Sequence, residues 1–162
     1  MTEENADWFD PSPFIEDSHK LIDIVGEWPS FDDAEILSLV LDRRDGSPWI
    51  PGSDSPTLDL RIRLAETGYF LTEIRFNNVL NFEMAEFRYQ NSVQEIVFES
   101  IPDRVDSQGN HTRARISIEI LPHCGLKGKF EFQSAVVLFV VPCDRNGRAT
   151  ASSESSSPPL TG

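Results

Sequence analysis

Polar and apolar residues alternate at every second position through most of this chain, and that spacing limits it to a fold built from half-buried strands. Leu58, Leu60, Ile62 and Leu64 alternate with Asp59, Arg61 and Arg63. Thr72, Ile74 and Phe76 alternate with Glu73 and Arg75, and Ile116, Ile118 and Ile120 with Arg115, Ser117 and Glu119. Phe130 and Phe132 alternate with Lys129, Glu131 and Gln133, and Leu37, Leu39 and Leu41 with Ser38 and Val40. Leu80, Phe82 and Met84 mark a further strand, and Val97–Ile101 another. The continuously apolar run Val136–Val141 reads as a central strand covered on both faces.

Turn chemistry separates these runs. Asp45–Pro56 is rich in Gly, Ser and Pro, Asp106–Asn110 is a polar turn, and His123-Cys124-Gly125 is a tight one. Connections this short favour antiparallel pairing, because parallel strands need long crossovers. At Thr67-Gly68-Tyr69 a three-residue loop would set Leu64 opposite Thr72, Leu60 opposite Phe76 and Arg63 opposite Glu73. A two-residue loop would put Ile62 opposite Glu73, a poor match.

One helix is predicted, over Ser12–Val25. Pro11 and Pro13 suit its start, Glu16 and Asp17 suit the positive end of its dipole, and Gly26 suits its end. Phe14, Ile15, Ser18, Leu21, Ile22 and Val25 fall at helical spacing, an apolar stripe that needs a sheet to lie on. About seven or eight strands make a sheet ~35 Å wide, whereas such a helix is ~20 Å long and ~10 Å across. One helix cannot cover that sheet, so the sheet must curl strongly or fold over on itself. The expected class is α+β: an N-terminal helix packed on a strongly curled, mostly antiparallel sheet of about seven or eight strands. Residues 1–11 read as a flexible acidic lead-in, 12–143 as one domain, and 144–162 as a disordered tail rich in Ser and Pro.

The net charge of −13 is unevenly placed. Met1–Asp42 holds 12 acidic residues and one basic residue, whereas the remaining 120 residues hold 15 and 13. A field of this sign repels nucleic acid and steers cationic partners. No apolar run reaches the roughly 20 residues of a membrane span. The acidic N-terminus lacks the basic and apolar regions of a signal peptide, and the two cysteines, Cys124 and Cys143, read as free thiols. A cytoplasmic location is expected. Edge strands can pair in a dimer, but no sequence feature fixes one.

The sequence offers no enzyme. His19, His111 and His123 neighbour no serine or cysteine nucleophile in a recognisable motif, and no phosphate loop, dinucleotide fingerprint or calcium loop is present. Zinc held by Cys124, Cys143 and His123 would be one ligand short. Asp32 and Asp33, adjacent on an extended segment, would point to opposite faces and make a poor acid–base dyad. No metal, cofactor or catalytic residue is therefore expected. A curled sheet lined by Phe70, Phe76, Phe82, Phe98, Phe130 and Phe132 could instead enclose a small ligand, with core packing as the simpler use of those rings.

The segment Glu27–Leu39 joins the helix to the first strand as a proline corner with two large aromatics, Trp28 and Phe31, and three carboxylates, Asp32, Asp33 and Glu35. Unpaired carboxylates stay at the surface, while the rings either plug the core or anchor a partner. Its Trp-Pro-Ser-Phe run, followed by Asp33-Ala34-Glu35 and a strand ending in Leu41-Asp42-Arg43, resembles the immunity protein 50 family of bacterial polymorphic toxin systems. Similarity continues through Thr57–Ile62, Leu71–Val79, the Phe82–Phe87 strand, Ile116–Glu119 and the closing apolar run. Where that family carries a histidine, this chain has Asp32. The resemblance implies that 12–143 is an immunity-protein-like domain. Such a domain is non-enzymatic and neutralises a cognate toxin by direct binding, a basic nuclease-type domain being the class that the acidic charge suits. Trp28, Phe31, Asp32, Asp33 and Glu35 are then the candidate partner-binding residues. The alternative is a small-ligand or protein-binding β module without catalytic activity.

Overall fold

In the computed structural model, residues 9–43, 56–66, 68–105, 107–109, 111–112 and 115–150 are described. Outside them lie 1–8 of the lead-in, 44–55 with all of the predicted Asp45–Pro56 loop but its last residue, positions 67, 106, 110, 113 and 114, and the tail beyond 150. The chain runs through β1 (Ile15–Glu16), α1 (His19–Val25), β2 (Glu35–Asp42), β3 (Thr57–Ala65), β4 (Tyr69–Asn77) and β5 (Leu80–Ala85). It continues through β6 (Ser92–Ile101), β7 (Arg104–Val105), β8 (His111–Thr112), β9 (Arg115–Cys124), β10 (Lys127–Phe132) and β11 (Ser134–Pro142). Nine strands form one mixed sheet in the order β1-β11-β4-β3-β2-β6-β9-β10-β5, while β7 and β8 pair separately. Among the described strands only β1 against β11 is parallel.

The molecule is closer to all-β than the α+β expectation, because half of the predicted helix is something else. Ser12–Phe14 is a single 3-10 turn, and Ile15–Glu16 then pairs with Ala135–Val136 at the sheet edge. Asp17, at φ 60°, turns the chain before the seven-residue α1 begins. Pairing with β11 satisfies the backbone at Ile15 and buries its side chain, which a helix could not do at the same place. Gly26 ends α1 in the left-handed conformation (φ 95°), its N–H donating to the Ile22 carbonyl. Leu21 is fully buried, and α1 lies against β11.

The sheet is folded over on itself. β4 and β10 stand five places apart in the sheet order, which would separate them by ~24 Å if the sheet were flat. Yet the Phe76 ring on β4 is 4.8 Å from Phe132 and 5.1 Å from Phe130 on β10, both edge-on. Leu58, Leu60, Ile62, Leu64, Ile74, Ile118 and Ile120 complete this interior, all essentially inaccessible. The fold is made at one place. β2 and β6 pair as strands only at Glu35 and Ser92, and the segment just before β2 carries the bonding to β6 onward through Ala34, Asp33 and Ser30.

Asn91, 3% exposed, holds that seam. Its side-chain oxygen accepts from the Arg88 and Leu126 N–H groups (2.9 and 3.0 Å), its amide nitrogen donates to the Arg88 carbonyl (2.8 Å), and its backbone carbonyl accepts from Ile36. One residue thereby ties β2, the approach to β6 and the β9–β10 turn. Gly125 in that turn has φ 82°, and a β-carbon there would come within 2.4 Å of the Gln90 carbonyl and 2.6 Å of Asn91 Oδ1. Only glycine fits.

Three local readings change in the structure. The β3–β4 hairpin closes between Ala65 and Tyr69, one residue earlier than predicted, so Leu60 faces Ile74 and Glu73 pairs with Arg61 instead of Arg63. A shift of two in register keeps every apolar face inward, which is why the pattern could not distinguish the two. A bulge in β2 between Ile36 and Ser38 makes Ile36 the buried residue, and the alternation fades into exposed Val40 and Leu41. The apolar β11 is second from the edge, not central. Ala135 and Val137, two apart and so on one face, are its only buried residues; Val136 and the later positions up to Val141 are half-buried, with α1 as the helix lying against the strand. The ordered chain also passes the tail boundary at 144: Asp144 caps the Asn146 and Arg148 N–H groups, and Gly147 packs on Leu37.

Replacing Asn91 by alanine leaves the buried Leu126 N–H unpaired and removes the partners of the part-buried Arg88 backbone groups, and is expected to cost about 2–4 kcal/mol. Gly125→Ala is expected to destabilise as well. Urea denaturation measures both, and a loss under about 1 kcal/mol for Asn91→Ala would show that the seam is held by other contacts.

Candidate functional site

The corner between α1 and β2 is built from buried rings and outward carboxylates. Trp28, Pro29 and Phe31 are buried. Trp28 meets Phe31 edge-on at 5.8 Å and Phe98 of β6 at 5.9 Å, and Phe98 in turn meets Phe132. The rings therefore plug the fold, and neither Trp28 nor Phe31 offers a surface anchor to a partner. The Trp28 indole nitrogen has no hydrogen-bond partner among the described residues, so ring contact is what holds it.

Phe31 and Asp33 both adopt left-handed backbone, with φ of 65° and 61°. For a bulky residue such as Phe31 this conformation costs of order 1–2 kcal/mol, less than complete burial of its ring returns. The Phe31 carbonyl accepts from the Ala34 N–H, and the Asp32 N–H donates to Ser30 Oγ. The Asp33 N–H donates to the Val93 carbonyl, and the Val93 N–H to the Ala34 carbonyl. The corner is thus stitched to β6.

This geometry overturns the expectation that Asp32 and Asp33 diverge. The left-handed turn at Asp33 brings both carboxylates to one side, where Asp32 Oδ1 and Asp33 Oδ1 lie 3.5 and 3.7 Å from His123 Nε2 at the end of β9. Their side chains are 63% and 74% exposed. Glu35 does not join them. Its carboxylate meets Arg63 at 3.3 Å, four-fifths buried, and its backbone forms the β2–β6 pair. Arg63 also donates to the Arg145 carbonyl and stacks over Tyr69, so Glu35 belongs to the framework.

His123 is the member that sequence reasoning missed. It lies about ninety positions from the corner in the chain, and no local signal links the two. The thiols stand apart from it. Cys143 is buried, its pKa raised by desolvation, and exposed Cys124 turns its sulfur to the Gln90 carbonyl at 3.8 Å. His19 is exposed on α1. The proposed phenylalanine-lined interior is filled: Phe76, Phe98, Phe130 and Phe132 pack on one another. A groove of about 670 Å³ lies instead along β5, β9 and β10, lined by Phe82, Met84, Ile120, Pro122, Gly128 and Lys129 among others. No family model, curated protein or solved structure matches this chain.

The corner residues should separate cleanly on substitution. Phe31→Ala is expected to cost about 3–5 kcal/mol by emptying the plug, and Glu35→Gln on the order of 1 kcal/mol by stranding Arg63. Asp32→Asn and Asp33→Asn should leave the thermal midpoint unchanged. A clear drop in that midpoint for either aspartate would make the pair structural.

Proposed function

We propose that this chain is a non-enzymatic bacterial immunity protein that binds and neutralises a cognate toxin in the cytoplasm, with Asp32 and Asp33 as its acidic anchor. The observation that carries the reading is the corner itself. Two adjacent carboxylates are exposed together on a backbone that buried Trp28 and Phe31 fix in place. Carboxylates held this way receive a guanidinium or ammonium group without first losing their own freedom. The resemblance of the Trp-Pro-Ser-Phe segment to the immunity protein 50 family supplies the class of partner, and the acidic N-terminal quarter favours a basic, nuclease-type toxin domain. Among the described residues no helix is long and apolar enough to cross a membrane. The groove beside β5 supports a second reading, a small-ligand or protein-binding β module.

Co-expression with the toxin encoded beside it tests the proposal. Growth should be rescued by the wild-type chain, and reversing Asp32 and Asp33 together to lysine should slow association at low salt by about tenfold or more. Glu35 is left out of this variant because its loss would disturb the seam. A neighbouring product that is not toxic, or toxicity that persists beside stable expression, would end the immunity reading. Unchanged association of the double variant would move the binding face elsewhere.

A further inference from the structure

We infer that Asp32, Asp33 and His123 form a binding site for a divalent transition-metal ion of the zinc type, with a coordination position left open to solvent. The three donors come from two separate parts of the fold, and their oxygen and nitrogen atoms all lie within 4.8 Å of one another. In a tetrahedral zinc site with bonds of ~2.0–2.1 Å, neighbouring donors stand about 3.4 Å apart. The His123 Nε2 distances to the two carboxylates, 3.5 and 3.7 Å, need only a few tenths of an ångström of closure to meet that spacing.

The scaffold holds the donors where they are. Val93 of β6 bonds to the corner on one side, through Asp33 and Ala34, and pairs with Pro122 of β9 on the other. Asp33 is therefore bonded directly to Val93, and His123 directly follows Val93's partner Pro122, at a bulge in the β6–β9 ladder. One imidazole and two carboxylates suit zinc, cobalt or nickel, whereas calcium takes six to eight oxygens and magnesium six near-ideal ones. Three protein ligands leave a fourth tetrahedral position for water or for a donor on another molecule. Cys124 is not a ligand, because its sulfur faces the Gln90 carbonyl.

The inference concerns the isolated chain and does not depend on the toxin reading. Titration of the purified full-length protein with Zn2+ by calorimetry, and with Co2+ by visible absorption, should show one ion per chain. Asp33→Asn and His123→Gln should each weaken Zn2+ binding by more than the ~10–100-fold that loss of an outer-shell partner costs. Cys124→Ser should leave affinity unchanged, and Ca2+ and Mg2+ should compete poorly. All three side chains are exposed, so an unchanged melting curve checks that the variants fold. Absence of Zn2+ and Co2+ binding, or binding that survives the combined Asp32→Asn, Asp33→Asn, His123→Gln variant, would overturn the site.

Discussion

The doubling of one sheet about the Glu35–Ser92 pair governs the rest of the molecule. A nine-stranded sheet with one seven-residue helix has far too little covering material, so its own second half must cover the first. Phe76 against Phe130 and Phe132 is the direct contact between the halves. Such a fold places a hinge where ladder bonding stops, and the backbone groups stranded there need other partners. Asn91 supplies them from a single buried amide, and the packing of Gly125 against it fixes the β9–β10 turn at the same point. Fold and seam are one requirement.

The Trp-Pro-Ser-Phe corner is the second half of that solution. It closes the end of the folded sheet with Trp28 and Phe31, and its backbone extends β2 alongside β6 through Ser30, Asp33 and Ala34. Two left-handed residues are tolerated because the rings they position are buried and because aspartate accepts that conformation readily. The exposed carboxylate pair is thus a consequence of the core. Loosening the plug would scatter the surface site along with it.

Charge is distributed by the same logic. On the outer face of the sheet, Arg61 meets Glu73, Arg75 meets Asp59, and Arg63 meets Glu35, while Lys127 and Lys129 lie near Glu86 and Glu83. These pairs take up the less buried arginines and lysines of the nine-stranded sheet, while buried Arg115 of β9 donates to the Asn78 carbonyl. Asp32 and Asp33 face a single imidazole between them, which leaves this corner open to a cation from outside. The edge at β5 is managed differently. A bulge opposite Phe130, with Asn81 at φ 53°, twists the strand and weakens it as a template for further strand pairing.

The period-two pattern by itself determined that β3, β4, β9 and β10 are strands, which of their faces are buried, and that a sheet of this width must fold over. Local alternation reports burial directly, and the width follows from counting strands. The pattern could not choose between β3–β4 registers differing by two, because both bury the same residues. Nor could it see that Ile15 would join a sheet edge, since its partner, Ala135, lies 120 positions away. The acidic corner was legible as composition, and its exposure followed from the cost of burying charge. Only tertiary structure decided that Asp32 and Asp33 share a side, that Glu35 is taken by Arg63, and that His123 completes the group. Those facts depend on a left-handed turn and on contacts between distant segments, which no spacing along the chain encodes.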